Sequence, residues 1–264
     1  MLYIVATPIG NLKEITHRAI EILNSVDYIL CEDTRTSKPL LDAYEIKKPL
    51  KSYHKFNEAK ASHDVINDLV KGKDIALISD AGMPGISDPG NILVNELIKN
   101  DLEYTVVSGP SALINAFVLS GYETPFTFVG FLSDNNTKRK EILNNLSKTP
   151  TSLIFYCSPH SIEKDLQDMY DILGNRKICV VREISKKFEE INFSDLATGY
   201  TGLVKGEFVV VIDKPIESLE SRDLDKDLET LLEMGLSKNE ASKIVAKLHG
   251  LKKNDVYQNA IKKD

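Results

Sequence analysis

IALISDAGMPGISDPG, at Ile75–Gly90, is the strongest structural signal in this chain. It joins a short apolar run, Ile75–Ile78, to a loop with three glycines and two prolines, and a helical pattern begins near Asn91. Glycines permit backbone conformations and close ligand approach that a Cβ atom would forbid, whereas prolines fix φ and stiffen the loop. We therefore predict a buried strand, a rigid loop and a helix, with Asp88 as the helix cap.

The same alternation recurs through the first 120 residues. Short apolar runs rich in β-branched residues predict buried strands, and the residues between them repeat with the spacing of helices that lie on a sheet. The predicted strands are Leu2–Ala6, Tyr28–Cys31, Ile75–Ile78 and Tyr104–Val107. Strands that alternate with helices predict a parallel sheet with helices on both faces.

A second α/β lobe is predicted from a turn-rich break at Gly121–Pro125 to about Asp213. Its predicted elements are strands at Thr127–Phe131, Ser152–Tyr156, Ile178–Val181 and Phe208–Ile212, an antiparallel strand at Glu189–Phe193, and a helix at Ile162–Leu173. After Lys214-Pro215 the pattern is purely helical, with three short helices and a capping box at Ser237–Glu240. We predict α/β lobes at 1–121 and 122–215, the second with a mixed sheet, and a helical module at 222–264.

Composition and charge exclude several classes of protein. Of 264 residues, 42% are hydrophobic and 27% charged, which is typical of a globular chain and not of a disordered one. The net charge of −6 argues against a surface that is basic throughout. Residues 236–264 hold seven lysines against three acidic residues, a local +4 that leaves −10 for residues 1–235. A polyanion would prefer the basic tail.

Cysteine and histidine spacing gives no sign of a disulfide framework or a metal site. The three cysteines are far apart in sequence, and no histidine has a partner at the spacing of metal ligands. The N-terminus lacks the basic start of a signal peptide, and no apolar run is long enough to span a membrane. We expect a cytoplasmic protein that has no metal and does not bind a membrane.

Three glycine- and proline-containing loops follow predicted strands, at 7–12, 79–90 and 108–112. Carboxyl ends of parallel strands share one edge of a sheet, where such folds bind ligands. None of the loops has the glycine spacing of a dinucleotide fingerprint or of a P-loop. Each loop alone is also compatible with a purely structural turn.

Two clusters of ionisable residues follow strands or turns in the first lobe. Glu32-Asp33-Thr34-Arg35 can reach a substrate from the end of a strand, although Asp33 or Thr34 would equally cap the next helix with Arg35 paired to a carboxylate. Tyr53–Glu58 places His54, with an ordinary pKa near neutrality, beside aromatic and basic residues; a solvated loop histidine is the alternative. In the second lobe, Lys186 follows a strand and either faces the cleft between the lobes or lies in a charged surface.

Ordered motifs along the chain resemble one known family. They include LYIVATPIGNL (2–12), EDTR (32–35), SDAG (79–82), ISDPG (86–90), GPSA (109–112), KGEFVVVI (205–212) and HGLKK (249–253). Together they resemble the ribosomal RNA small subunit methyltransferase I family over nearly the whole chain.

The resemblance implies a tetrapyrrole-methylase-like fold in which two α/β lobes hold S-adenosylmethionine in the cleft between them. It implies 2′-O-methylation of a cytidine ribose in the decoding region of small-subunit (16S) rRNA, free or in the ribosomal subunit, by a homodimer. The cofactor contacts that it implies are Pro8, Asp80, Ala81, Gly82, Ile86, Ser111, Ala112 and Leu132. Met83 stands where the family usually has threonine, so no contact from the side chain at position 83 is assumed.

The resemblance fixes no catalytic residue, so candidates come from the chemistry. A ribose hydroxyl is weakly acidic, and proton removal near the transition state would help its attack. The candidate bases are Glu32, Asp33, His54 and Glu58. Arg35 and Lys186 are candidates to hold a phosphate or stabilise the developing oxyanion. Lys252 and Lys253 are candidates for rRNA phosphate contacts, unless the tail only packs and leaves them solvated.

Two other functions are compatible with the sequence. One is a methyltransferase of the same fold that acts on a small tetrapyrrole, which the basic tail disfavours. The other is a non-catalytic ribosome- or DNA-binding factor whose helical tail is a helix-turn-helix reader. That reading leaves the glycine and proline loops at three strand ends without a purpose.

Overall fold

The computed structural model describes residues 1–215, 224–248, 250–254 and 256–257. The chain divides into two units, Met1–Lys214 and Pro215–Asp264. The first unit contains two five-stranded sheets and the second is helical. No helix within the described ranges is long and apolar enough to cross a membrane.

The first sheet is entirely parallel and has the strand order β3-β2-β4-β1-β5. Its strands are β1 Leu2–Val5, β2 Tyr28–Cys31, β3 Leu50–Ser52, β4 Ile75–Leu77 and β5 Tyr104–Val107. The helices of this part of the chain are α1 His17–Ser25, α2 Thr34–Ala43, α3 Glu58–Val70, α4 Asn91–Lys99 and α5 Ala112–Ser120. A 3₁₀ turn occupies Leu12–Glu14.

Both faces of this sheet are largely buried at the three central strands β2, β4 and β1, as the apolar runs predict. On one face Leu30 and Leu77 pack with Leu69 of α3 and Leu97 of α4. On the opposite face, strand residues pack with Leu23 of α1 and with α2. The sheet is therefore a rigid central layer, and its loops at the carboxyl edge are anchored at both ends.

The second sheet is mixed and has the order β6-β7-β10-β8-β9. Its elements are β6 Phe126–Phe131, α6 Asn136–Leu146, β7 Ser152–Cys157, α7 Ile162–Leu173, β8 Lys177–Arg182, β9 Glu190–Asp195 and β10 Phe208–Ile212. Strands β6 and β7 are parallel and the other neighbours antiparallel. Helices α6 and α7 bury side chains on one face. The predicted fold of two α/β lobes, the second with a mixed sheet, is confirmed.

Helix α5 follows the first sheet in sequence but packs on β7, β8 and β10 of the second. Its side chains Leu113, Ala116 and Phe117 lie against Val181 and Val209. The predicted boundary after residue 121 therefore assigns α5 to the first lobe, although this helix packs on the second sheet. The boundary stays a prediction.

The helical unit contains α8 Leu224–Glu233 and α9 Lys238–Leu248. Leu228 of α8 and Val245 of α9 share a small core with Val256. The predicted capping box is confirmed: the Glu240 N–H donates to Ser237 Oγ at 3.3 Å, and the Ser237 N–H donates to Glu240 Oε2 at 3.1 Å. Residues 216–223, 249, 255 and 258–264, which include part of the predicted 222–264 module and of its third helix, lie outside the described residues.

Predicted strands agree with the structure to within about two residues, with one omission. Strand β3 was not expected, because Lys51 and Ser52 are exposed and leave no apolar pattern in its three residues. The observed β9 confirms the predicted antiparallel strand near Glu189–Phe193.

Candidate active site

The three predicted loops converge at the carboxyl edge of the first sheet. Thr7 and Gly82 exchange backbone hydrogen bonds of 2.9 and 3.1 Å, which tie the loop after β1 to the loop after β4. The Thr7 hydroxyl also donates to the Ser79 carbonyl at 3.2 Å. The loop after β5 approaches so closely that a Cβ atom on Gly109 would lie 2.7 Å from the Ala6 Cβ. The prediction that these loops open on one edge is confirmed.

A cavity of about 430 Å³ lies against this edge, within the size range of small-molecule sites. The second sheet closes its other side through residues at the end of β7 and just after it, Tyr156–Pro159, through Glu207–Val209 before and in β10, and through Ile184. The cavity thus combines loops of a parallel sheet with strand ends of a mixed one. The sequence predicts the first group. Of the second group it offers, as one of two alternatives, only the segment after β8, because no local pattern shows which residues of one lobe face the other.

Six of the eight predicted cofactor contacts line this cavity: Asp80, Ala81, Gly82, Ile86, Ser111 and Ala112. Pro8 and Leu132 do not line it, although their chain neighbours Ile9 and Phe131 do. Met83 lines the cavity as well, and its partly buried side chain packs on the core of the first sheet.

Acidic side chains give the cavity its electrostatic character. Glu32, Asp80 and Asp88 all line it. Burial, followed by the charge of Glu32, raises the pKa of Asp88 to about 6. Burial and the charge of Asp80 raise the pKa of Glu32, while nearby His54 opposes that rise. Desolvation likewise raises the pKa of Asp80. These carboxyl groups would be stabilised in their ionised form by a bound cation.

Asp88 does not cap α4, which corrects the prediction. The helix cap is Gly90, at φ 150°, and it has no side-chain hydrogen bond. Asp88 lies two residues before this cap, and its side chain forms part of the cavity wall. Acidic residues before a proline at a helix start are usually caps, so sequence alone concealed this role.

In the structure, the residues of the Glu32–Arg35 cluster have different surroundings. Glu32 lines the cavity, whereas Asp33 is the N-cap of α2 and accepts the Arg35 N–H at 2.8 Å. Arg35 forms an ion pair of 2.6 Å with Asp33, and its side chain is 89% exposed. The Asp33 N–H, in turn, donates to Asp80 Oδ1 at 3.4 Å. Catalytic roles for Asp33 and Arg35 stay predictions, and both residues have structural partners.

His54 lies in the turn between β3 and α3, and Glu58 is the first residue of α3; neither residue lines the cavity. The His54 N–H donates to Asn57 Oδ1 at 2.8 Å. Glu58 begins α3, and its carbonyl accepts from the Ser62 hydroxyl at 2.7 Å. Their roles as bases stay predictions.

Lys186 bridges two carboxylates at the rim. Its Nζ lies 3.0 Å from Glu183 Oε1 and 2.9 Å from Glu207 Oε2, and Glu207 lines the cavity. Hydrogen bonds to these carboxylates raise the pKa of Lys186, although burial opposes the rise. The aliphatic part of Lys186 lies against Gly10, where a Cβ atom would collide with it. Lys252 and Lys253 are exposed in the helical unit, and their substrate contacts stay predictions.

The described residues contain no group of three or more histidine, cysteine or acidic side chains arranged to hold a metal ion. The three cysteines are buried and unpaired with one another.

Comparison with known proteins places the chain in a family. Residues 1–198 match the family described as Tetrapyrrole (Corrin/Porphyrin) Methylases, and residues 219–263 match the RsmI C-terminal HTH domain. Among solved structures, uroporphyrin-III-C-methyltransferase from Thermus thermophilus aligns with a TM-score of 0.58 at 16% identity, over 81% of this chain and 94% of that one. The methyltransferase CobJ aligns with a TM-score of 0.61 at 17% identity, over 81% and 93%. At 16% and 17% sequence identity, these two structures show the fold of the chain alone.

Curated relatives are closer in sequence. The protein named ribosomal RNA small subunit methyltransferase I from Halalkalibacterium halodurans is 39% identical, over 97% of this chain and 93% of its own length. Proteins of that name from Bacillus subtilis and Vibrio cholerae are 38% and 40% identical, over 97% and 98% of this chain and 92% and 93% of their own. The chain therefore belongs to the ribosomal RNA small subunit methyltransferase I family and has the tetrapyrrole methylase fold.

Proposed function

We propose that this protein transfers a methyl group from S-adenosylmethionine to the ribose 2′-hydroxyl of a cytidine in the decoding region of 16S rRNA. The observation that carries the proposal is the cavity where Glu32, Asp80 and Asp88 meet three rigid loops. Membership of a family whose relatives are named for methylation of small-subunit rRNA supports the substrate.

The cavity fits S-adenosylmethionine in size and in chemistry. This cofactor supplies an electrophilic methyl group on a positively charged sulfur. Carboxyl groups whose pKa burial has raised favour such a cation, because its charge offsets their desolvation. Apolar side chains of Ile86 and Met83 offer a surface for an aromatic base. We assign the holding of the cofactor to the six predicted contacts that line the cavity.

Glu32 is our choice for the group that takes the hydroxyl proton. Among the five predicted catalytic residues, it is the one whose side chain lines the cavity. Burial raises its pKa above the ordinary value, which makes the ionised form a stronger base. Rigid loops around it would hold the attacking oxygen in line with the methyl group, and such positioning accounts for much of the rate in a displacement.

Contacts to RNA phosphates are assigned to lysines of the helical unit and not to Lys186. Lys186 at the rim already has two carboxylate partners, so it serves better to join Glu183 to Glu207 than to bind a phosphate. Lys252 and Lys253 are exposed in the helical unit and suit phosphate contacts.

An apolar surface on α5 and β5 supports the predicted homodimer. Ile114 and Val118 lie one helical turn apart on α5 and are 45% and 72% exposed. Strand β5 is an edge strand, on which Tyr104 and Val106 are 39% and 45% exposed. Exposed apolar groups on an edge strand, and on the helix that follows it in the sequence, are typical of a protein interface.

The test is Glu32→Gln, assayed with unmethylated small ribosomal subunits. Loss of the base should reduce turnover by about 100-fold or more. Affinity for S-adenosylmethionine, measured by calorimetry, should stay close to that of the unaltered protein. Glu21→Gln, at an exposed position on α1, is the neutral control. Normal turnover in Glu32→Gln, with a loss in Glu58→Gln, would transfer the role to Glu58.

The same assay separates the competing functions. An enzyme of this fold that acts on a small tetrapyrrole would methylate a precorrin-type substrate and leave ribosomal subunits unchanged. A binding factor without catalytic activity would give no heat with S-adenosylmethionine. Either outcome would overturn the proposal.

A further inference from the structure

Phe56 is an aromatic ring that the fold leaves in water. It lies in the turn between β3 and α3 and is 94% exposed, more than any other large apolar side chain in the described part of the chain. A phenylalanine placed in this way adds no packing energy to the folded state. Its presence is better explained by something that binds to it.

The backbone beneath this ring is fixed by hydrogen bonds. Asn57 Nδ2 donates to the Ser52 carbonyl at 3.0 Å, and Asn57 Oδ1 accepts the His54 N–H at 2.8 Å. The Phe56 N–H donates to His54 Nδ1 at 3.3 Å, and the two rings lie edge to face with centroids 6.1 Å apart. A ligand that stacks on Phe56 would therefore meet a surface that is already in place, so little conformational freedom is lost on binding.

This turn stands beside the cavity. Strand β3 is the neighbour of β2, and Glu32 follows β2 directly. The Ser52 hydroxyl at the end of β3 donates to the Glu32 carbonyl at 3.5 Å. Adjacent strands are roughly 5 Å apart. If the ribose of one nucleotide occupies the cavity, the next nucleotide of the strand can therefore reach this turn.

A second exposed aromatic ring occurs in a loop on the other side. Phe188 is 65% exposed, in the loop between β8 and β9, and Lys187 Nζ lies 5.5 Å from its ring centroid. The same loop contributes Ile184 to the cavity wall. Lys55 stands next to Phe56 in sequence as Lys187 does to Phe188, and neither lysine has a carboxylate partner within the described ranges.

We propose that Phe56 and Lys55 form a stacking site for an unpaired RNA base that flanks the methylated nucleotide, and that Phe188 and Lys187 form a second such site. This proposal rests on the proposed function, and it adds which side chains would hold the RNA strand. A ribose can enter the cavity only from a strand that is splayed open, and unstacked bases are held by aromatic rings with little regard to sequence. Each lysine supplies a charge for the adjoining phosphate in a unit that is otherwise acidic.

The first test uses methylation kinetics with unmethylated small ribosomal subunits. Phe56→Ala and Phe56→Leu should raise KM for the subunits about tenfold or more, while kcat and the affinity for S-adenosylmethionine stay unchanged. Phe56→Tyr should behave like the unaltered protein because it keeps the ring. Val70→Ala is the matched control, since Val70 is 68% exposed at the far end of α3, on the opposite edge of the sheet. Phe188→Ala should have a smaller effect than Phe56→Ala.

A second test does not depend on methylation. The chain contains no tryptophan, so Phe56→Trp introduces a single fluorophore at the site. A short single-stranded RNA should quench its emission through base stacking, whereas Val70→Trp should be unaffected by the same RNA.

Unchanged fluorescence in Phe56→Trp, or a Phe56→Leu variant with a normal KM, would overturn the stacking site. A change in oligomeric state on Phe56→Ala, with KM unaltered, would do the same and place the ring in a protein interface. If the unaltered protein methylated no subunits, the proposed function would fail, and the fluorescence test would still decide whether Phe56 stacks on RNA.

Discussion

The cavity and the α6–α7 contact both hold acidic side chains that are partly or wholly out of water. They differ in whether a basic side chain of the protein pairs with those acidic groups. Between α6 and α7, Arg139 is 2% exposed, and its guanidinium lies 3.3 Å from Asp165 Oδ1 and 2.9 Å from Asp168 Oδ2. In the cavity, Glu32 and Asp88 have no lysine or arginine partner among the described residues. The first cluster contains a cation of the protein itself, and the second does not.

This difference separates a structural role from a functional one. Burial raises the pKa of Asp165, and the Ser161 hydrogen bond and the charge of Arg139 offset part of that rise, so the folded protein supplies this carboxylate with its own cation. The cavity carboxyl groups reinforce one another's raised pKa instead. An uncompensated acidic site is stabilised when a cation enters from solution. The contrast predicts that altering the first cluster lowers stability, whereas altering the second raises stability at high pH and weakens the binding of a cation.

The largest effect is expected for Arg139→Met. Removing the guanidinium leaves Asp165 and Asp168 buried without a counter-charge, which costs about 3–5 kcal/mol of unfolding free energy. Urea denaturation followed by circular dichroism measures this difference.

Lys214→Met is the matched comparison for an exposed pair. Its Nζ lies 2.7 Å from Glu123 Oε2, closer than either Arg139 contact, yet both side chains are largely in water. Solvent screening weakens such an exposed pair, so Lys214→Met should lower the unfolding free energy far less than Arg139→Met does. Equal losses in the two variants would show that burial does not set the energy of these ion pairs.

The two clusters also differ in how far sequence revealed them. The loop 79–90 was predicted to be a ligand site, because glycines and prolines after a buried strand have a local physical meaning. Arg139 and Asp165 are 26 residues apart on two helices, and only the packing of α6 on α7 brings them together. Asp88 was misread as a cap, since the backbone at Gly90 decides where the helix begins.

The same limit applies to the site as a whole. Sequence patterns predicted both lobes and the loops of the first, because strand and helix periodicity are local. They did not predict that Tyr156 and Glu207 would face those loops, since that depends on how two sheets meet. Strand β3 was missed, and with it the position of Phe56 beside the end of β2.

A smaller effect, of opposite sign, is expected for Asp88→Asn. The folded-state pKa of Asp88 is about 6, against an ordinary value of 3.8, so the folded protein binds this proton more tightly than the unfolded chain does. Its protonated form is favourable below about pH 4, and that contribution is lost as the pH rises through 6. Asparagine should therefore raise the unfolding free energy at pH 8 by roughly 1 kcal/mol, allowing for water that reaches the group, and by nothing at pH 4.

Denaturation of both proteins at pH 4 and pH 8 checks the sign as well as the size. Glu21→Gln, at an exposed position on α1, is denatured alongside as the control. A loss of stability in Asp88→Asn at pH 8 would mean that the ionised carboxylate is already compensated within the folded protein, and the contrast with Arg139 would disappear.

The smallest effect concerns ligand charge. S-adenosylmethionine carries a positive sulfur, whereas S-adenosylhomocysteine has a neutral one, so the ratio of their dissociation constants isolates the attraction between the cavity and the cation. As the pH falls from 8 to 5, Asp88 gains its proton and part of that attraction is lost. The ratio should shift about threefold against S-adenosylmethionine, the size expected for a partly solvated charge pair. In Asp88→Asn the ratio should vary less with pH, because the titrating group is gone. A ratio that stayed constant in the unaltered protein would mean that the positive sulfur lies away from these carboxyl groups, and the acidic wall would then have to serve the ribose instead.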